Sequence, residues 1–317
     1  MVLPQPKSSL RDGQMPNMKT KRLCLSVSLG LFTTLLHASA QNIFVANFSI
    51  GTVSEFNSSG TLINATFASG LSEPFGLAFD SSGNLYVASS STVSEYNSSG
   101  TLLNPSFISG LSGAQGLAFD TSGNLYVANQ ANGTVSEYNS SGTLIKASFA
   151  SGMSVPQGLA FDTSGDLYVS CRPFRTIQEF NSSGTLINGS FGSGLNQPFG
   201  LAFDTSGNLY VVNQGINTVS EFNSSGTLIK ASFASGLDDP QGLAFDSSGD
   251  LYVANEFNNT VSEFNSSGTL IHTISDPSIN GPTFIAISPA PEPSTSVLAG
   301  AGMLALLAFR KFRRGAA

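Results

Sequence analysis

The residues with the most distinctive chemistry share one loop, Ser170-Cys171-Arg172-Pro173-Phe174-Arg175, which brings a thiol and two guanidinium groups within six positions. A related stretch of the chain reads Ala-Asn-Gln-Ala-Asn-Gly instead, so Cys171, Arg172 and Arg175 are the candidate ligand contacts. Carboxylates are distributed differently, by recurrence. Glu55, Glu95, Glu137, Glu179, Glu221 and Glu263 each follow Thr-Val-Ser or a variant of it, and Asp80, Asp120, Asp162, Asp204 and Asp246 each end a Gly-Leu-Ala-Phe-Asp motif. Clusters of carboxylate and amide oxygens can hold a divalent cation such as Ca2+. An acid copied with every repeat is first of all a solvated surface that keeps an exported domain soluble. No other cofactor is expected.

Histidine chemistry is nearly absent. His272 is the sole histidine beyond residue 40, too little for a histidine-ligated zinc site or a Ser-His-Asp triad. Between residues 41 and 290 the chain carries Lys146, Arg172, Arg175 and Lys230 against 18 acids, a formal charge of −14. Phosphate backbones need clustered Lys and Arg, so nucleic acid is not an expected partner. Cys24 lies in a segment expected to be removed, which leaves Cys171 without a disulfide partner.

What must position these residues is a repeat. Gly-Leu-Ala-Phe-Asp begins at Gly76, Gly116, Gly158, Gly200 and Gly242, at spacings of 40, 42, 42 and 42. Each unit parses into four short strands, a to d: GLAFD, NLYVAN, TVSEF or TVSEY, and TLIKASFAS or a variant. Asp-[Ser/Thr]-Ser-Gly-[Asn/Asp] links a to b, and Asn-Ser-Ser-Gly-Thr links c to d. In both links the first side chain can accept a backbone N–H two residues on, and the glycine supplies the positive φ of a tight turn. Neighbouring strands therefore pair antiparallel. The same turn accounts, without any glycan, for the sequons at Asn57, Asn97, Asn139, Asn181, Asn223 and Asn265.

Strands a and b are apolar on both faces, so both faces of each sheet must be covered. Four strands in a unit of 40 to 42 residues predict a β-propeller. Before Gly76 only strands b, c and d occur, and after Ser267 come a strand d and a lone strand a, GPTFIAIS. Joining the two ends completes a sixth blade and removes open sheet edges. The expected fold is all-β: a monomeric six-bladed propeller of four-stranded antiparallel blades over residues 41–288, closed by the C-terminal strand a on the N-terminal strands b, c and d.

The flanks carry sorting chemistry. Residues 18–40 have a basic start, an apolar stretch and Ala38-Ser39-Ala40, the pattern of a secretory signal peptide cut by signal peptidase before Gln41. Residues 1–17 fit no part of it, so Met18 is the expected start. At the other end a linker, 289–296, contains Pro291-Glu292-Pro293; a short apolar segment, 297–309, and a basic tail, 310–317, with Arg310, Lys311, Arg313 and Arg314, follow. Thirteen residues fall short of the roughly 20 that a stable bilayer span needs. The segment is read as a short transmembrane hold, transient, with the basic tail on the cytoplasmic side.

The unit P-x-G-L-A-F-D-x-x-G-N-L-Y-V-A-N followed by T-V-S-E-F resembles the NHL repeat over residues 42–288, and NHL domains are six-bladed propellers. It has Asn129, Asn213 or Asn255 where that family commonly has Asp, and Thr134, Thr218 or Thr260 where it commonly has Arg. The resemblance therefore carries the fold further than the ligand. Six-bladed propellers also include lactonase and gluconolactonase-like enzymes with one divalent metal in the central channel. That resemblance implies Glu73, Asn129, Asn213, Asp238 and Asn255, with Asp239, as metal-ligand candidates. Residues 291–314 resemble the PEP-CTERM sorting signal, which implies an exosortase-like processing enzyme, export through the inner membrane, and the surface or matrix of a Gram-negative bacterium making exopolysaccharide. The expected protein is a non-enzymatic binding or scaffold propeller of the cell envelope or extracellular polysaccharide matrix, with a polysaccharide or protein ligand. A lactonase-type propeller hydrolase is the alternative.

Overall fold

The computed structural model describes residues 41–172 and 174–290. The expected signal peptide with Ala38 and Ala40, and the sorting segment from Pro291 through Arg314, lie outside the described residues. Among the described residues no helix is long and apolar enough to cross a membrane.

The predicted hairpins form. β1 (Ile43–Asn47), β2 (Thr52–Phe56) and β3 (Leu62–Ala68) open the chain as strands b, c and d of blade 1. Blade 2 is β4 (Pro74–Phe79), β5 (Leu85–Ser89), β6 (Thr92–Tyr96) and β7 (Leu102–Ser109). Blade 3 is β8 (Ala114–Phe119), β9 (Leu125–Asn129), β10 (Thr134–Tyr138) and β11 (Leu144–Ser151). Blade 4 is β12 (Pro156–Phe161), β13 (Leu167–Cys171), β14 (Thr176–Phe180) and β15 (Leu186–Phe191). Blade 5 is β16 (Pro198–Phe203), β17 (Leu209–Asn213), β18 (Thr218–Phe222) and β19 (Leu228–Ala234). Blade 6 is β20 (Pro240–Phe245), β21 (Leu251–Asn255), β22 (Thr260–Phe264) and β23 (Leu270–Ser275). β24 (Pro282–Ile287) then pairs antiparallel with β1 and completes blade 1.

The a strands β4, β8, β12, β16, β20 and β24 pack side by side in a closed ring. That ring leaves no room for side chains where two backbones meet. A Cβ on Gly158 would stand 2.5 Å from the Phe199 carbonyl oxygen, and one on Gly200 2.7 Å from that of Gln241. The equivalent position of β24 is Phe284, buried with its ring 5.8 Å from that of Phe199.

Between blades the phenylalanines of the repeat do the packing. Tyr126 of β9 lies edge-on between Phe149 of its own d strand, at 4.9 Å, and Phe161 from the a strand of the next blade, at 4.8 Å. Phe44, Tyr86, Tyr168 and Tyr210 repeat the arrangement. Edge-to-face pairs of this kind contribute about 0.5–1.5 kcal/mol each beyond their buried area. At the closing seam Tyr252 joins Ile274 and Ile287 instead.

The repeated acids correct one expectation, for they are not simply a solvated surface. Glu137, Glu221 and Glu263 are 7–8% exposed. Antiparallel register sets the strand-c glutamate of blades 2 to 6 opposite a strand-b tyrosine, and in three of them the phenol donates to it: Tyr86 to Glu95 at 3.1 Å, Tyr168 to Glu179 at 2.8 Å, Tyr252 to Glu263 at 2.9 Å. Where blade 1 has Phe44, Asn42 Nδ2 donates to Glu55 at 2.8 Å. The aspartates cap the a–b turns: Asp80 Oδ1 accepts the N–H groups of Ser82 and Asn84 at 2.9 and 2.8 Å. Burial first, then the facing carboxylates, raises the phenols of Tyr86, Tyr126, Tyr168, Tyr210 and Tyr252. Burial alone raises Tyr96, and burial outweighs the opposing bond with Ser136 at Tyr138. The Asn-Ser-Ser-Gly turns are capped in the same way, with Asn57 Oδ1 accepting the N–H groups of Ser59 and Thr61.

Alternating strand direction sends the a–b and c–d turns to one face and the b–c and d–a loops to the other. Both ends of the propeller leave from the turn face, where Gln41 Nε2 donates to the Ser288 carbonyl at 2.7 Å and the Asn42 N–H to Ser288 Oγ at 2.8 Å.

Candidate functional site

On the loop face each a strand carries one extra residue. In β4, for example, Pro74 faces Ser89 but Leu77 faces Val87, and the same two-against-three pairing recurs in the other five blades. Such a bulge re-aims a side chain. Here it presents Phe75, Gln115, Gln157, Phe199, Gln241 and Thr283, one per blade, to a cavity of about 250 Å³ on the axis. A second tier comes from the residue after the b strand in five of the six blades, with Phe48, Gln130, Arg172, Gln214 and Glu256 lining the same space.

The mouth holds partly satisfied polar groups. Gln241 Nε2 donates to Glu256 Oε2 and, at 3.4 Å, to Asp239 Oδ2. Arg172 donates to Gln197 Oε1 at 3.3 Å with its guanidinium 5.9 Å from the Phe199 ring centroid. Gln157 Nε2 reaches the Val155 carbonyl at 3.4 Å. Gln115 Oε1 and Gln214 Oε1 are buried with no donor. Burial, reinforced by Asp239 and opposed by Arg172, raises the Glu256 carboxyl above its ordinary value. Phe48 and Phe75 pack edge to face at 5.2 Å and form an aromatic wall. Around the rim the b–c loops leave Ile50, Phe174, Ile216 and Phe257 exposed.

The backbone here is strained. Glu73, Val155, Gln197 and Asp239, each just before an a strand, have φ between 48° and 52°, and Arg175, Asn217 and Asn259, before c strands, have φ of 54–56°. These seven are all the non-glycine residues with positive φ among the described residues, and all sit on the loop face.

The residues singled out from sequence are placed unevenly. Arg172 lines the cavity. Cys171 does not: it is 0% exposed, packed with Val169 and Phe180, and burial pushes its thiol up to about 12. Arg175 is exposed on the loop. Of the metal-ligand candidates Glu73, Asn129, Asn213, Asp238 and Asn255, none lines the cavity. Asn129, Asn213 and Asn255 are buried, donating to Ser136, Ser220 and Ser262 at 2.8–2.9 Å. Asn213 and Asn255 also accept from the backbone N–H groups of Asn196 and Asp238, pinning the d–a loops. Glu73 accepts from Ser90 Oγ at 3.1 Å. Only Asp239 of that group reaches the cavity. Among the described residues no three His, Cys, Asp or Glu side chains gather as a metal-ligand group.

The glutamines and phenylalanines of the mouth had a signal in the sequence. Read down the six copies, the position after the strand-a proline runs Thr, Phe, Gln, Gln, Phe, Gln, and the position after strand b runs Phe, Ser, Gln, Arg, Gln, Glu. Near-identical columns flank the first; the second follows a column that is mostly Asn and precedes a variable loop.

Comparison with known proteins agrees with this architecture. Residues 289–314 match the PEP-CTERM protein-sorting motif. No curated protein matches the chain by sequence. Among solved structures, a protein of unknown function from Bacteroides caccae is 18% identical with a TM-score of 0.65, covering 79% of this chain and 99% of that one. The nidogen/laminin complex contains a chain that is 18% identical with a TM-score of 0.66 at the same coverages. A gluconolactonase from Xanthomonas campestris is 19% identical with a TM-score of 0.58, covering 69% of this chain and 83% of that one. At these identities the likeness is one of fold: the chain is a six-bladed β-propeller that ends in a PEP-CTERM sorting motif and is thereby marked for export and surface sorting.

Proposed function

We propose that this protein is a binding propeller of the bacterial envelope or extracellular matrix that holds its ligand at the channel mouth, without catalysing a reaction. The observation that carries the reading is the placement of the mouth. The two ends of the propeller meet on the turn face, and the cavity with its variable lining opens on the opposite one. A chain held at its C-terminal segment, by a short membrane hold at 297–309 until an exosortase-like enzyme acts at Pro291-Glu292-Pro293, would present the mouth away from the membrane. The exposed Ile50, Phe174, Ile216 and Phe257 enlarge the contact area around it. A lactonase-type hydrolase would need Glu73, Asn129, Asn213, Asp238 and Asn255 to converge on the channel, and their side chains serve the loops instead.

The test is fractionation of a producing Gram-negative strain into membrane, matrix and medium. The intact protein is expected in the matrix fraction, and a chain with Pro291, Glu292 and Pro293 all replaced by Ala in the membrane fraction. A chain with Phe75→Ala and Arg172→Ala is expected to be sorted normally but recovered from the medium. Wild-type protein free in the medium, or matrix retention indifferent to the mouth variants, overturns the reading.

A further inference from the structure

The chemistry of the cavity narrows its ligand class, given that the mouth is a binding site as proposed above. Charge is the first filter. Arg172, Asp239 and Glu256 all line the cavity, with Arg172 near enough to Glu256 to act on its carboxyl, so a bare anion meets two carboxylates and a bare cation meets a guanidinium. Neither is well served. Apart from Thr283 the remaining lining is amide and aromatic, and includes Gln115, Gln157, Gln214 and Gln241 with Phe75 and Phe199. A primary amide offers two N–H donors and a carbonyl acceptor in one plane, a match for adjacent hydroxyl groups, each of which donates and accepts.

The hydrogen-bond balance says which way the ligand must contribute. Gln115 Oε1 and Gln214 Oε1 are buried acceptors with no donor, on side chains 4% and 7% exposed. A buried polar atom left unpaired is destabilising, and an O–H from a ligand removes that penalty. Phe75 and Phe199 belong to blades 2 and 5, three blades apart, and so face the cavity from opposite sides. Aromatic faces suit the C–H surface of a ring whose edge carries hydroxyls.

Size completes the argument. About 250 Å³ is just below the roughly 300–1,000 Å³ of pockets that take drug-sized ligands. The space fits one ring, entered end-on, because the floor is closed by the packed glycine backbones and Phe284.

We propose that the channel mouth, lined by Gln115, Gln157, Gln214, Gln241, Phe75 and Phe199, binds the terminal ring of an uncharged saccharide. The hydroxyl groups pair with the glutamine amides, the ring lies between the two phenylalanines, and the rest of a glycan chain runs outward over the b–c loops. Arg172, Asp239 and Glu256 select against charged sugars.

Saturation-transfer NMR and calorimetry on the full chain test this, using methyl glucoside, methyl galactoside and methyl mannoside, the matching glucuronide and glucosamine, and a tetrasaccharide of whichever neutral sugar binds. The expected result is millimolar binding of at least one neutral glycoside, ring protons receiving saturation, and at least tenfold weaker binding of the charged analogues. A tetrasaccharide that binds no worse than its methyl glycoside identifies a chain end as the source; one that fails to bind assigns the site to free sugar and overturns the end-on placement. Gln115→Leu and, independently, Gln214→Leu are each expected to weaken binding at least tenfold without lowering Tm. No neutral glycoside bound at 50 mM, equal binding of the glucuronide or glucosamine, or affinity unchanged in whichever variant folds overturns the proposal. Matrix retention that still depends on Phe75 and Arg172 in such a case would show that the mouth binds something other than a sugar, which separates this failure from failure of the binding reading.

Discussion

The two faces of the propeller are built from the same repeat by opposite rules. On the turn face a cavity of about 310 Å³ is lined by Phe119, Phe161 and Phe203 with Asp120, Asp162 and Asp204, one motif used three times. On the loop face the lining is mixed, with Gln in three blades, Phe in two and Thr in one at the strand-a position, and Phe, Gln, Arg or Glu after strand b. The backbone draws the same distinction. Every left-handed position in the a–b and c–d turns is a glycine, such as Gly83, Gly100 and Gly165, whereas the loop face puts Glu73, Val155 and Gln197 into left-handed conformations. A residue copied unchanged into every blade serves the fold common to all of them. A residue that differs, and that tolerates backbone strain, serves something the fold does not require.

The largest break in this comparison should come from alkali, which attacks the repeated layer. All seven tyrosines have raised phenol pKa values. Above pH about 10 the unfolded chain releases phenolic protons that the folded chain retains, so the folded state binds more protons and stability falls as pH rises. Each retained proton lowers stability by about 1.4 kcal/mol per pH unit. Seven acting together give a steep loss, and cooperative unfolding is expected between about pH 10 and 12. Absorbance at 295 nm should rise together with the loss of circular dichroism. Phenolate appearing near pH 10 in a folded protein would mean that the Tyr–Glu layer is not buried as described.

A smaller break separates the axis from the turns. Gly200→Ala places a methyl group 2.7 Å from the Gln241 carbonyl oxygen, against the backbone of β20. Overpacking that cannot be relieved by a side chain is expected to cost about 3 kcal/mol. Gly207→Ala on the turn face has φ of 82° and meets nothing within 4 Å, so only its conformational cost of about 1 kcal/mol remains. Urea unfolding of both variants measures the difference. Equal losses would show that the inner strands are not in contact across the ring.

The repeated layer was legible in the sequence because copying is itself a signal. Five GLAFD motifs and the unmatched strands at the two ends specify strand number, pairing direction and closure. Two things were hidden. Glu263 and its equivalents read as surface because composition does not show register, and only the pairing of Tyr252 with Glu263 places the acid under a phenol. The mouth was obscured for a different reason. Chemical rarity drew the eye to Cys171, which is core, while Gln115 and Gln241 look ordinary until the bulge at each strand start turns them toward one axis. Arg172 could be read from either side, as a rare charge and as a departure from its column.

Strain at the loop face yields the finest test, because its sign is opposite to the others. Val155 has φ of 48°, a region in which a β-branched side chain crowds its own backbone. Its counterparts in blades 1 and 3 are Gly281 and Gly113, with φ of 59° and 68°, so the loop accepts glycine at that place. Val155→Gly removes strain of about 1–3 kcal/mol and gives back about 0.5–1 kcal/mol of that through the greater freedom of the unfolded chain. A net gain of about 1 kcal/mol is expected in urea unfolding. The gain should come without change in the repeated layer, so the alkaline transition should keep its shape. Loss of stability would show that the left-handed loop residues hold the blades together, and the division between a face that stabilises and a face that binds would have to be abandoned.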